Sequence, residues 1–399
     1  MFIDRLRRLN PGLAQAAVSL HQGGQLPANT YLLDIDGISA NTRLIRSEAD
    51  ALGLRLYAMT KQLGRNPDAC DAIAAAGIEA AVAVDIQCME AVLRSHMRIG
   101  HVGHLVQPHR GSEDAIIAAR PEVVTVFSNA VAERLGAAAS RAGVTQLVLL
   151  RVVAPGDHFY FGHGGGLPLE GIEAAAHGID AIRGLRVAGV TSFPALLADP
   201  EARQLKVTPN LATILRAAER LRQAGFDIEQ INAPGTTSSG ALKLLAEAGA
   251  THAEPGNGLH GTTPLMVFDD ESPELPAIVY VSEVSHLDGD DAYVFGGGLY
   301  IDEVLGAYGL RAFCGRDEGI IDRIFPAEKA ADGAIHYYAV LHLPSAHDVR
   351  VGDTVVFCFR PQAFATRART RALFRNQDGS PRLGDAYDVV DARPAVGVS

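Results

Sequence analysis

Leu56-Tyr57-Ala58-Met59-Thr60-Lys61-Gln62 is an apolar, strand-like run that ends in a lysine where a βα loop should begin. If the run is a strand of a parallel barrel, Lys61 stands at its C-terminal end, where such barrels build their active sites. An amine there can form a Schiff base with a carbonyl substrate or an aldehyde cofactor. Lysines at strand ends also snorkel to water, so the surrounding pattern must decide between the two readings.

Outward from this run a rhythm sets in. Strand-like runs at 54–60, 80–85, 101–107, 123–127, 146–153, 187–193, 228–232 and 250–253 alternate with Ala- and Leu-rich helical stretches such as 68–76, 129–142 and 210–224. Strands separated by helical stretches of that length imply βαβ units and a mostly parallel sheet. Eight or nine such units over roughly 240 residues predict an α/β fold of the TIM type, a (β/α)8 barrel. Ahead of it, residues 1–27 read as an amphipathic helical lead-in, followed by a strand at 31–36 and a helix over 41–52. After residue 275 the helical period fades into short β runs at 278–284, 291–295, 336–342 and 353–360. The expected domains are therefore a barrel over 1–275 and a C-terminal β-rich domain over 276–399, since single cores seldom grow much beyond ~300 residues.

Composition narrows the function. The 399 residues are 48% hydrophobic and carry a net charge of −11, with a pI near 5.7. An acidic chain of this kind argues against nucleic acid or an anionic membrane surface as partner and favours a small molecule. Cys70, Cys88, Cys314 and Cys358 form no C-x-x-C pair, which suits reduced thiols in the cytoplasm. The N-terminus lacks an uninterrupted apolar core of a secretory signal, and the apolar stretch 72–86 is broken by Glu79 and Asp85, so no membrane span is expected. Histidines 96, 101, 104 and 109 match no zinc spacing, and strand alternation would place His101 and His104 on opposite faces; no metal site is expected.

Two loops could hold a phosphate. The first, Asn232-Ala-Pro-Gly-Thr-Thr-Ser-Ser-Gly240, follows a strand and enters a helix, so its hydroxyls and the free amides of the helix start make an anion site without a basic side chain. An ordinary helix-capping loop would look similar. The second, from Glu254-Pro-Gly-Asn-Gly to Thr263, follows the last barrel strand, where this fold supplies further phosphate amides.

In order and spacing, Met59-Thr60-Lys61-Gln62, the Ser/Thr/Gly loop at 236–240 and Glu254-Pro-Gly-Asn-Gly-Leu-His-Gly261 resemble the alanine racemase-like (fold type III) pyridoxal phosphate enzymes, with the YhfX-like branch nearest. The resemblance covers most of the chain and implies a barrel followed by a β domain. It makes Lys61 the cofactor lysine and the group exchanging protons with the substrate Cα. Thr237, Ser238, Ser239 and Gly240 would hold the phosphate, with amides near Gly256, Asn257 and Gly258, and Arg151 would lie beside the cofactor ring. Where the family commonly has a ring-packing histidine this chain offers Ser192, and His158, Tyr160 or His163 in the next loop could take over that role, His163 foremost.

The resemblance also implies a homodimer, with a second acid/base drawn from the C-terminal domain of the other subunit. His286, Tyr293, Tyr300 and Cys314 are available for it, and a buried structural role also suits Cys314. Glu254 stands where bacterial alanine racemases carry an arginine and related decarboxylases a glutamate facing the pyridine nitrogen. A carboxylate there favours a protonated ring and a stronger electron sink. The leading expectation is amino acid racemisation, with decarboxylation or a non-catalytic cofactor carrier as alternatives.

Overall fold

The computed structural model describes residues 2–302, 309–331, 334–390 and 392–394. Two compact units emerge: Arg43–Thr60 with Ile73–Gly256, and Met1–Thr42 with Lys61–Ala72 and Asn257–Ser399.

The first unit holds a parallel sheet in the order Arg55–Leu56, His252–Ala253, Gln230–Asn232, Leu185–Thr191, Gln146–Val153, Val123–Val126, Arg98–Val102, Ala80–Ala83, Ala58–Met59. Its two ends are halves of one strand broken at Tyr57. Arg55–Leu56 pairs with His252–Ala253 and Ala58–Met59 with Ala80–Ala83, so the sheet closes into the eight-stranded barrel expected from the sequence. Runs such as Val123-Val124-Thr125-Val126 are buried throughout, as strands covered on both faces must be. The helix Asn129–Ala142 ends at Gly143 with φ 69°, a left-handed cap that glycine adopts without strain. Inside the barrel, the Tyr57 hydroxyl donates to Glu122 at 3.1 Å and accepts from Gln230 at 3.1 Å, while its ring stacks on His252 with centroids 5.5 Å apart. A side chain at Gly100 would meet the Tyr57 ring at 2.2 Å, so only glycine lets the tyrosine fill this layer.

In the second unit nine strands run in the order Asp291–Phe295, Tyr338–His342, Ile324–Lys329, Leu310–Gly315, Thr354–Phe357, Ile278–Asp288, Thr30–Asp34, Arg369–Arg375, Pro381–Asp388. Ile278–Asp288 shifts register between Val284 and His286 and also pairs with Asp291–Phe295, closing the first six strands into an antiparallel ring. Thr30–Asp34, which the sequence groups with the barrel, lies instead in this sheet, antiparallel to Ile278–Asp288 and parallel to Arg369–Arg375. The helices Phe2–Leu9 and Pro11–Gln22 bury Phe2, Leu6, Leu13 and Val18 in the same core as Val279, Phe313 and Val356. The N-terminal segment therefore groups with the C-terminal residues in one compact unit.

Candidate functional site

At the C-terminal ends of the barrel strands, successive strands each deliver one polar side chain inward. His101 comes from Arg98–Val102, Thr125 from Val123–Val126, Arg151 from Gln146–Val153, Thr191 from Leu185–Thr191 and Asn232 from Gln230–Asn232, with Glu254 one residue past His252–Ala253. All six are buried. Glu254 Oε1 lies 2.6 Å from His101 Nδ1 and accepts from Asn232 Nδ2 at 2.8 Å. On the far side of the imidazole, Nε2 lies 2.5 Å from the Thr125 hydroxyl. Glu254 Oε2 is buried and makes no hydrogen bond; His104 Nε2 approaches it only to 3.5 Å. Burial would raise the Glu254 carboxyl, but the His104 and His101 charges, and hydrogen bonds from His101 and Asn232, outweigh it and hold the group at about 2.

His101 and His104 lie on the same side, with ring centroids 5.4 Å apart, which corrects the expectation of opposite faces. The strand ends at Val102, and Gly103 takes φ 80°, where an added Cβ would meet the Thr125 carbonyl oxygen at 2.9 Å, turning His104 back toward His101. The two histidines and Glu254 bring potential metal-ligand atoms within 4.8 Å of one another. Ligands of a tetrahedral ion with bonds of about 2.0–2.1 Å would stand roughly 3.3 Å apart, so the 2.6 Å contact is a hydrogen bond rather than the edge of a metal cage.

Arg151 is 1% exposed, and burial lowers its guanidinium to about 10. It donates to the carbonyls of His104 and His163 and lies 4.5 Å from the Phe127 ring centroid. Ser192 is buried and accepts from Asn210 at 3.4 Å. The ring contributed by this segment is its neighbour Phe193, which packs against His104, Tyr160 and His163 at 5.5, 5.7 and 6.5 Å. His163 is half-buried beside Tyr160, whereas Phe161 between them is fully exposed.

Ser238 occupies the N-cap of helix Ser239–Ala248, yet its buried hydroxyl makes no cap bond and has no partner. Thr237 and Ser239 are buried beside it and Gly240 is exposed. A buried N-cap hydroxyl that makes no cap bond, at the start of a helix, is what an incoming phosphate would need. Thr60, at the end of the first barrel strand, also has a buried hydroxyl without a partner. Glu254 Oε2, a buried acceptor without a hydrogen bond among the described residues and 3.5 Å from His104 Nε2, suits a protonated ring nitrogen. On these observations the residues fit pyridoxal phosphate.

Lys61 follows Thr60 directly and opens the 3-10 turn Lys61–Leu63 of the second unit, with its ammonium 5.0 Å from the Phe364 ring centroid. In the same unit Asn257 donates to His260 Nε2 at 3.2 Å and accepts from Arg360 Nε at 2.7 Å, so its side chain is committed. Arg360 also pairs with Asp302 at 2.5 Å. Gly258 lies buried in the same turn, and Gly256 is buried in the last residues of the barrel unit.

Cys314 is buried in Leu310–Gly315, and burial pushes its thiol up to about 12. That is a core residue, not a thiol poised for proton transfer. His286 is exposed and stacks on Tyr293 at 4.5 Å, with Tyr338 edge-on at 5.1 Å. Tyr300 is also exposed. Residue-type and spacing arguments did not foresee the cluster of His101, Thr125, Thr191 and Asn232 around Glu254, nor Arg360 beside Asn257. The first four share one signal, a polar residue at the C-terminal end of an apolar strand, as at Lys61.

A family model described as "Alanine racemase, N-terminal domain" matches residues 33–264, and one described as "YhfX-like, C-terminal domain" matches 279–383. The chain is 37% identical to "Uncharacterized protein YhfX" of Escherichia coli (strain K12), over 97% of this chain and 98% of the relative. Among solved structures, D-threo-3-hydroxyaspartate dehydratase from Delftia sp. HT23 superposes with a TM-score of 0.66 at 18% identity, covering 90% of this chain and 97% of that one. Alanine racemase from Corynebacterium glutamicum gives 0.61 at 17% identity, covering 83% and 90%.

Proposed function

We propose, starting from the chain's membership of the alanine racemase-like family of pyridoxal phosphate proteins in its YhfX-like branch, that it is a pyridoxal phosphate-dependent amino acid racemase acting as a cytoplasmic homodimer. The observation that carries the cofactor reading is the buried Glu254 carboxylate, with one oxygen doubly hydrogen-bonded and the other open.

Lys61, two residues past the barrel strand Ala58–Met59, would hold the cofactor covalently. Ser238, Ser239 and Gly240 would hold its phosphate, with amides near Gly256, Asn257 and Gly258, and Arg151 and Glu254 would flank the ring. When bound, the cofactor supplies an electron sink that acidifies the substrate Cα–H. Glu254 keeps a proton on the ring nitrogen, because an ionised carboxylate with an open oxygen favours the cation beside it. Lys61 in its neutral form takes the Cα proton from one side.

A second group must return a proton from the other side, since one amine serves only its own face. With Cys314 in the core, exposed His286 with half-buried Tyr293, and exposed Tyr300, are the remaining candidates among those foreseen, presented by a second copy. The dehydratase and racemase among the structural neighbours run different reactions on one fold, so the reaction has to be read from products. Incubation with single-enantiomer amino acids in deuterium oxide should give Cα deuterium together with loss of optical rotation. Release of carbon dioxide instead would replace racemisation by decarboxylation, the reading that Glu254 favours next.

A further inference from the structure

The Glu254 carboxylate is buried and lacks an arginine or lysine among its hydrogen-bond and ion-pair partners, so its orientation depends on neutral donors and histidine. A carboxylate with equivalent oxygens can turn either toward the site. Here Oε1 is taken twice, by His101 Nδ1 at 2.6 Å and Asn232 Nδ2 at 2.8 Å, and Oε2 by no hydrogen bond, with His104 Nε2 3.5 Å from it. The imidazole is itself anchored. With Nδ1–H donated to the carboxylate, the far nitrogen Nε2 lies 2.5 Å from the Thr125 hydroxyl, which holds the ring plane. Asn232 is steadied at 3.4 Å from the Thr191 hydroxyl. Two residues thus hold one carboxylate oxygen, and a threonine from a further strand braces each of them.

We propose that His101 is a positioning residue for the cofactor: with Asn232 it locks Glu254 Oε1, so that Oε2 is the acceptor presented to a protonated ring nitrogen. The role rests on the pyridoxal phosphate reading above, and it assigns His101 to holding a carboxylate rather than to a metal or to proton transfer with substrate. Groups that orient a binding residue typically cost ten- to a hundredfold when removed.

The test uses the full chain and its His101→Ala, His101→Asn, Glu254→Gln and His101→Ala/Glu254→Gln variants. Pyridoxal phosphate affinity is measured by equilibrium dialysis and the pH dependence of the visible band by titration, with thermal melting as the folding control. An asparagine amide can stand where His101 Nδ1 stands, so His101→Asn should stay within about threefold of the native affinity while His101→Ala loses about tenfold and shifts the spectral titration. In the Glu254→Gln background the alanine substitution should add little, because the group it positions is gone. Nitrogen-15 spectra of the cofactor-free protein should show His101 protonated at Nδ1, a reading that survives even if His101→Ala does not fold. Equal behaviour of the alanine and asparagine variants, additive losses in the double variant, or a proton on Nε2 alone would overturn the role while leaving the cofactor reading intact. Failure of the native chain to bind the cofactor would remove both.

Discussion

The two ends of the barrel interior are both polar and both buried, but they are built for different ends. Near the strand starts, Tyr57 closes its hydroxyl onto Glu122 and Gln230, and Glu122 goes on to pair with Arg98 at 2.9 Å and Arg55 at 3.2 Å at the surface. At the strand ends, Glu254 Oε2, Asn232 Oδ1, Ser238 Oγ and Thr60 Oγ1 are buried without hydrogen-bond partners. Native interiors rarely leave such atoms open, since each costs about 1–3 kcal/mol. His252 Nε2, in the ring stacked on Tyr57, is also buried without a hydrogen-bond partner among the described residues, so the contrast lies in how many such atoms gather at the strand ends. Substitutions at the two ends should divide accordingly.

The largest effect belongs to Glu254→Gln. A charge-assisted hydrogen bond contributes about 1.5–3 kcal/mol, so turnover should fall roughly ten- to a hundredfold while the protein stays folded, read by Cα exchange rate alongside circular dichroism. At the other end, Tyr57→Phe leaves Glu122 and Gln230 each short of a partner. It should lower stability by about 1–2 kcal/mol, or the Tm by roughly 2–6 °C, with cofactor affinity unchanged; a change in affinity instead would blur the division.

The pH dependence distinguishes the ends by window. Burial lowers His252 from 6.5 to about 3 in the folded protein, so the unfolded chain binds the extra proton between those values. That stability is present above pH 6.5 and lost as pH falls toward 3. Glu254, lowered from 4.5 to about 2, contributes stability present above pH 4.5 and lost as pH falls through 2. His260, lowered to about 3 in the other unit, adds to the upper window. Thermal melting against pH should therefore flatten between pH 6.5 and 4.5 in His252→Asn, and only below 4.5 in Glu254→Gln.

The smallest effect is expected at Ser238→Ala. Because the hydroxyl makes no cap bond, the helix should lose less than the usual ~1 kcal/mol, and cofactor affinity should fall about two- to tenfold.

Much of the barrel was legible because parallel strands covered on both faces read as apolar runs; Gln146–Val153 and the helix Asn129–Ala142 fall where periodicity places them. The sheet to which a strand belongs was not. Thr30–Asp34 is buried at every position and would read the same in either unit, while its partners begin about 250 residues later in the chain. Arg369–Arg375 and Pro381–Asp388 went unrecognised because charged and small residues interrupt their alternation. In the site, Lys61 and Glu254 were legible through motif order. The pairing of His101 with Glu254 was not, since it depends on barrel closure across 153 residues. The approach of His104 depends on one left-handed glycine that local pattern does not reveal.

The central claim is that the chain carries pyridoxal phosphate on Lys61. Borohydride reduction of the protein with added cofactor, followed by peptide mass spectrometry of the native chain and of Lys61→Ala, tests it directly. The account predicts one reduced pyridoxyl adduct, on Lys61, absent from the variant together with its visible band. An adduct that persists in Lys61→Ala on another amine, or no adduct in the native chain, would contradict it.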